Sequence, residues 1–272
     1  MQPYFELNSN HIYSLKQMKK SWMLGIALSV CVSQTAMGWG RVGHDAIAYI
    51  AACNLTKKAE KRIEKYLGHS IVYDASWMDD YRATPAYKHT SQWHTAAVNE
   101  DFYYTDAVRK PSGDAVSALE DAIKLLQNYK QLDDSTLVVN LKYVIHLVGD
   151  MHCPTHVRYP GISNYNIKIN NKEHSYHSVW DSYIIESNRK WYYTEWQQQL
   201  DRCSRKEKKA LAAGTPRDWF HETAVDCRVI YDWAPKGSSQ GRDFLNQAEP
   251  LAEKQILKAG YRLARLLNDL FG

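Results

Sequence analysis

DSTLVVNLKYVIHLVGDMHCPTH, residues 134–156, is the stretch from which the fold is read. Leu137, Leu141, Val144, Ile145 and Val148 recur at the three- and four-residue steps that place side chains on one face of a helix. Pro154 lacks an amide hydrogen and clashes with the preceding turn, so the spacing predicts a helix over 134–152 that stops there. The same period continues on both sides. Upstream, Ile47, Ala48, Ile50, Ala51 and Leu55 follow Gly43 at helical spacing, residues 57–67 and 74–82 read similarly, and 114–130 place Val116, Leu119, Ile123 and Leu126 on one face. Residues 83–113 form a long irregular stretch. Downstream, helices are expected over 175–187, 191–200, 216–232 and 246–269, the last with Leu251, Ile256, Leu263, Leu266, Leu267 and Leu270 as a core-facing stripe. One strand signal stands out. Asn166-Ile167-Lys168-Ile169 alternates before Asn170-Asn171, which predicts a small hairpin. No internal repeat or low-complexity linker interrupts the pattern, and the expectation is one all-α domain.

Composition agrees with a folded globular chain: 44% of the 272 residues are hydrophobic and 24% charged, which excludes a disordered or fibrous protein. No apolar run after the first forty residues is long enough to span a bilayer. The opening segment differs from the rest. Met18-Lys19-Lys20 precedes a mostly apolar stretch from Trp22 to Val32, and small residues sit at Ala36 and Gly38, the order of a secretory signal peptide. Residues 1–17 then read as an upstream extension, with cleavage expected after Gly38 and export to the periplasm or the medium. Lipoprotein cleavage before Cys31 is disfavoured because Val30 is not a small residue. Removing residues 1–38 takes away Lys16, Lys19, Lys20 and Glu6, and leaves 31 basic and 29 acidic residues, a formal charge of +2. That balance excludes a nucleic-acid packaging protein, so any affinity for polyanions must be local. Cys53, Cys153, Cys203 and Cys227 remain, an even number that permits disulfides without fixing a pairing.

Three clusters carry the chemistry. His146 and Asp150 lie four apart on the helix already read, and His156 lies just beyond the break at Pro154, where the chain can turn it back toward them. His177 and Asp181 repeat the four-residue spacing. Asp79, within Ala75-Ser76-Trp77-Met78-Asp79, and the isolated His94 form the third group. A single His–Asp pair at this spacing is ordinarily no more than a hydrogen-bonded pair. Two such pairs with a third histidine and two further donors point instead to a multinuclear metal site, with imidazole and carboxylate ligands suited to zinc. His69, His89, His152, His174 and His221 show no partner pattern and read as ordinary polar residues.

Taken together, Trp39-Gly40-x₃-His44, Ala-Ser-Trp-x-Asp at 75–79, His146-x₃-Asp150-x₅-His156 and His177-x₃-Asp181 closely resemble the trinuclear-zinc nucleases of the S-one/P-one type. These are exported, largely α-helical enzymes that prefer single-stranded nucleic acid, also act on 3′-nucleotides, and leave 5′-phosphates. The resemblance implies three zinc ions in a cleft. One would be held by Asp79, His94 and His146; a second by His156, His177 and Asp181; a third by the free α-amino nitrogen and carbonyl oxygen of Trp39 together with His44. Asp150 would bridge the first and third. A pair of such ions lowers the pKa of a shared water and so supplies hydroxide at neutral pH, while the remaining ion stabilises the leaving 3′-oxygen. Arg82 resembles the family's arginine beside the site and would neutralise phosphate oxygens; an i,i+3 salt bridge to Asp79 explains it equally well. Single-stranded nucleic acid and 3′-nucleotides are the implied partners of a monomer with no stable membrane association.

The chain also departs from the pattern. His94 is followed by Thr95-Ala96-Ala97, where some members carry an aromatic residue and an aspartate that read a base. Tyr103 and Tyr104 are the candidate substitutes for stacking, or else packing residues. Pro154-Thr155-His156 replaces Pro-Leu-His, and Cys153 is either a thiolate ligand or a free buried thiol. Arg202, Arg205, Lys206, Lys208 and Lys209 either guide polyanions or form a solvated helix face. Two rivals are a zinc phospholipase C and a metal-stabilised protein without activity. The five-residue gap from Trp39 to His44 and the closing Asp181 disfavour the first, and ligands spent on a processed N-terminus disfavour the second.

Overall fold

Helix α1 (Arg41–Cys53) lies along the C-terminal helix α12 (Arg242–Phe271), and this pair forms the spine of the core. The contact is close because of Gly260: a Cβ there would stand 2.4 Å from Ile50 Cγ2. Ile47, Ile50 and Ala51 of α1 and Ile256, Ala259, Leu263 and Leu267 of α12 are buried around it. The computed structural model describes residues 39–272, so the expected signal peptide and upstream extension within residues 1–38 lie outside the described residues.

Around this spine the chain adds α2 (Lys57–Leu67), α3 (Trp77–Tyr81), α4 (Ala115–Leu126) and α5 (Asp134–Asp150), then α6 (Tyr176–Ser178), α7 (Ile184–Asn188), α8 (Tyr193–Leu200), α9 (Arg205–Leu211), α10 (Pro216–Cys227) and α11 (Ile230–Trp233). The fold is all-α, as the apolar periodicity requires. Helix α5 packs against α4, α12, α1 and α3, and its C-terminal half, Tyr143 to Asp150, is buried throughout. Helix α4 opens on a capping box: buried Asp114 accepts from the Ser117 amide at 3.0 Å and Ser117 Oγ accepts from the Asp114 amide at 3.0 Å. Such a cap contributes about 1 kcal/mol.

Strands are short. β1 (Ala96–Ala97) pairs in parallel with β2 (Val157–Arg158), and β3 (Asn166–Ile169) pairs with β4 (Lys172–Ser175) and, on its other edge, with β5 (Ser239–Gln240). The β3–β4 hairpin is the one expected. Asn170 and Asn171 have φ of 50° and 65°, the two left-handed residues of a tight hairpin turn, which asparagine tolerates better than most.

Several boundaries differ from the expectation. Residues 74–82 are not one helix but a 3₁₀ turn at Ile71–Asp74 followed by α3, since Ser70 accepts from the Val72 amide and caps the turn early. Helix α5 ends at Asp150, and Pro154 starts a 3₁₀ turn through His156. The segment 175–187 is divided by a π-helical turn over Val179–Tyr183, and 216–232 by a break at Arg228-Val229. Helix α12 begins at Arg242 and passes Pro250 without ending, because the apolar stripe that follows is anchored against α1. Among the described residues no helix is long and apolar enough to cross a membrane. Cys53, Cys153, Cys203 and Cys227 are all free thiols.

Candidate metal centre

Asp150, the last residue of α5 and fully buried, stands at the middle of the site. Its Oδ2 is 2.9 Å from His94 Nδ1 and 3.1 Å from His146 Nε2. Its Oδ1 is 3.3 Å from His156 Nδ1 and 3.5 Å from His44 Nε2. Four elements converge there. α1 brings His44, α5 brings His146, and the parallel β1–β2 ladder brings the other two. That ladder pairs Ala96 with Val157, so His94, two residues before one strand, and His156, one residue before the other, arrive side by side. Asp79 of α3 completes the first group, with Oδ1 3.6 Å from His94 Nδ1 and Oδ2 3.8 Å from His146 Nε2.

His44 reaches this point because Gly149 leaves room for it: a Cβ on Gly149 would stand 2.8 Å from His44 Nδ1. The His44 and His146 rings stack at 4.0 Å between centroids. His146 Nδ1 donates to the Ala75 carbonyl at 2.8 Å, which fixes the ring's orientation and turns Nε2 toward Asp79 and Asp150.

A second centre forms around Asp181, in the π-helical turn. Its Oδ2 is 3.1 Å from His177 Nε2, while its Oδ1 is 3.5 Å from His156 Nε2 and accepts from Cys153 Sγ at 3.2 Å. Trp39 is fully buried, and the Gly40 amide donates to the Asp181 carbonyl at 2.7 Å, which holds the 39–40 peptide against the same turn.

Charge in this buried space is held by mutual pairing. Burial disfavours a proton on His146, but Asp150, Asp79 and the Ala75 carbonyl together raise its pKa to about 9. Burial pushes Asp150 up, but His146 and His156 outweigh it and hold the carboxylate well below its usual range. Asp181 is lowered in the same way by His177 and His156 against burial. Cys153 is raised, by burial first and then by Asp181.

Among the described residues, three donor sets have ligand atoms within 4.8 Å of one another: His44, His146 and Asp150; Asp79, His94 and His146; and Cys153, His156 and Asp181. Both Asp79 oxygens, Asp150 Oδ1, His44 Nε2, His94 Nε2 and His177 Nε2 are buried without a hydrogen-bond partner. Orphaned acceptors and imidazoles at this density are costly unless something positive joins them. Their nitrogen and oxygen chemistry fits zinc-like cations.

Residues 39–272 match the S1/P1 Nuclease family. The chain belongs to that family. It is 25% identical to Endonuclease 3 of Arabidopsis thaliana over 93% of this chain and 95% of the relative. It is 27% identical to Endonuclease 2 of the same plant over 86% and 91%, and 22% identical to Nuclease S1 of Aspergillus oryzae over 89% and 95%. This S1/P1 nuclease is therefore a metal-dependent hydrolase of phosphodiester bonds in nucleic acid, and the phospholipase and non-enzymatic readings fall away.

Other residues singled out from the sequence are placed as follows. Arg82 is largely buried, with Nη1 3.4 Å from Asp79 Oδ1. Tyr103 is half exposed and stacks on His221 at 3.9 Å with the rings nearly parallel. Tyr104, read as either a stacking face or a packing residue, is turned inward and packs: its hydroxyl donates to Asp114 at 2.9 Å and supports the α4 cap. The basic run lies on and beside α9, which buries no residue; Lys208 is spent on Asp201 and Asn54, and Arg205, Lys206 and Lys209 are exposed. His152, read from the sequence as an ordinary polar residue, has a structural role. It is fully buried, donates from Nδ1 to the Val148 carbonyl at 2.7 Å, and accepts from Arg262 Nη1 at 2.7 Å, tying the turn after α5 to α12. An isolated histidine carries no such signal in sequence.

Proposed function

We propose that the S1/P1 nuclease fold here serves an exported enzyme that loads three zinc ions, prefers single-stranded DNA or RNA, also cleaves 3′-nucleotides, leaves 5′-phosphates and works as a monomer. The observation that carries this reading is the position of Asp150, whose two oxygens face different imidazoles, His94 and His146 on one side and His44 and His156 on the other. One carboxylate shared in this way supports ions held close together. Asp79, His94 and His146 would hold one, His156, His177 and Asp181 a second, and His44 with the Trp39 terminus a third. Bound zinc supplies a deprotonated water at neutral pH and a counter-charge for the departing 3′-oxygen.

The chain's own residues do the rest. Asp150 supplies the charge that keeps neighbouring cations together. Arg82 offers a planar fork beside Asp79 for phosphate oxygens, which fixes the phosphate for in-line attack. Tyr103 presents an aromatic face on which a base can stack without regard to its identity. Tyr104, committed to Asp114, takes no part. The test is an activity panel on protein beginning at Trp39, using single- and double-stranded DNA, RNA, 3′-AMP and phosphatidylcholine, each with and without chelator. Cleavage of the single-stranded substrates and 3′-AMP that chelator abolishes and zinc restores is expected. Equal rates on duplex DNA, or full activity in chelator, would remove the reading.

A further inference from the structure

The ion expected at His156, His177 and Asp181 has a fourth candidate donor that sequence spacing does not place. Cys153 is fully buried, one residue ahead of the 3₁₀ turn that carries His156. Its Sγ lies 3.2 Å from Asp181 Oδ1, and His156 Nε2 lies 3.5 Å from that same oxygen. Cys153, His156 and Asp181 form one of the three sets whose donors all fall within 4.8 Å of one another, and His177 is not in that set. His177 Nε2 faces the other oxygen, Oδ2, at 3.1 Å, and is buried without a hydrogen-bond partner. Cys153 and His156 thus meet at one oxygen of Asp181, while His177 faces the other. Zinc with sulfur at about 2.3 Å and nitrogen or oxygen at about 2.0–2.2 Å needs neighbouring donors roughly 3.3–3.6 Å apart, and Cys153 and His156 stand 3.2 Å and 3.5 Å from the same Asp181 oxygen, close to that spacing.

We infer that Cys153 is a thiolate ligand of this ion, beside His156 and Asp181. The inference rests on the three-zinc reading above. On ligation the thiol S–H bond breaks, its proton passes to solvent, and the sulfur lone pair forms the bond to zinc, with no change of oxidation state. The thiolate would add a negative charge to the surroundings of that ion. The sulfur also makes this site softer than its neighbours, with a preference for thiophilic metals that the other two do not share.

The experiment uses the chain beginning at Trp39 with the two less buried cysteines removed (Cys53→Ser, Cys203→Ser), so that surface thiols do not contribute. Zinc-edge X-ray absorption on the fully loaded protein should show a zinc–sulfur distance of about 2.3 Å, at one sulfur shared among all zinc bound. Cobalt substitution in the same protein should give a sulfur-to-cobalt charge-transfer band, lost in Cys153→Ser, whose hydroxyl can still donate to Asp181. Metal bound with no zinc–sulfur path, or a band that survives Cys153→Ser, overturns the ligand assignment and leaves the three-zinc reading standing. Failure of the parent protein to bind any zinc or cobalt overturns that reading and the inference with it. The absorption measurement needs no Cys153 variant, so it decides the matter even if the serine substitution does not fold.

Discussion

Asp150 shows what a single residue does here. Asparagine matches it in size and shape but replaces one oxygen with an NH2 group and removes the charge, and both Asp150 oxygens face imidazoles. Asp150→Asn is expected to reduce kcat/KM by at least about 10³-fold, roughly 4 kcal/mol of transition-state stabilisation, and to lower bound zinc measured by elemental analysis. Near-normal turnover with full zinc would take Asp150 out of the chemistry. Gly149 next to it makes a more selective test. A Cβ 2.8 Å from His44 Nδ1 must push that ring away while leaving α5 intact, so Gly149→Ala should keep its circular dichroism spectrum yet lose about one zinc equivalent. The spacing in the sequence already announced most of these donors, because histidine and aspartate four apart on a helix share a face. It did not announce the shared position of Asp150 between groups, nor the Ala75 carbonyl that orients His146. Those depend on where α3 lies against α5, which no local pattern records.

At the scale of elements, legibility followed length. The 17-residue α5 and the long α12 show several turns of periodic apolar residues, and the Asn170-Asn171 hairpin carries its own turn signal. The β1–β2 ladder has two residues per strand, too few to show any period, yet it is what delivers His94 and His156 together. The π-helical turn at Val179–Tyr183 was equally silent. A prediction belongs to the α10–α12 contact. Lys258 is 3% exposed on α12 and pairs with Glu222 at 2.6 Å and Asp226 at 2.8 Å on α10, with Lys254 on Asp226 at 3.0 Å. Burial raises the Asp226 pKa, but hydrogen bonds from Lys258 and Lys254 outweigh it and depress it below the ordinary carboxylate value, and Glu222 is depressed likewise by Lys258 and Arg262. A carboxylate with a lowered folded pKa stabilises the protein above its unfolded value, about 4, and that contribution disappears as pH falls through the folded value. Thermal midpoints should therefore hold steady from pH 7 to about 5 and fall below about 4. Lys258→Met should flatten that acid-side fall, with a contribution of about 1 kcal/mol after allowing for the partial exposure of both acids. An unchanged slope in Lys258→Met would assign the acid sensitivity elsewhere.

For the molecule as a whole, the question is how the described domain relates to the 38 residues before it. The all-α reading and the nuclease family were legible because the metal motifs and the helical periods reinforce each other along residues 39–181, and the helical tail completes the core. The decisive step lies at residue 39. Trp39 is buried, and the Gly40 amide is tied to the Asp181 carbonyl at 2.7 Å, so the backbone at 39 is held at the edge of the histidine cluster, with His44 about one helical turn further along. A terminal amine has a lone pair to give to zinc, and with the carbonyl oxygen of its own residue it closes a five-membered chelate. An amide nitrogen has no comparable lone pair, so on the proposed three-zinc reading the uncleaved chain, in which Gly38 acylates that nitrogen, would lack one ligand of the third ion. Cleavage after Gly38 would then switch the enzyme on as it leaves the cell, and protect the nucleic acid of the cell that makes it. Three forms test this: one beginning at Trp39, one retaining Gly38 behind a tag, and one beginning with methionine before Trp39. The first should bind about three zinc ions per chain, and the other two about two, with single-strand cleavage at least 10²-fold slower, as expected when a metal-bound charge is lost from the transition state. Equal zinc content and equal rates in all three would show that His44 is held by other donors, and that activation does not depend on the new N-terminus.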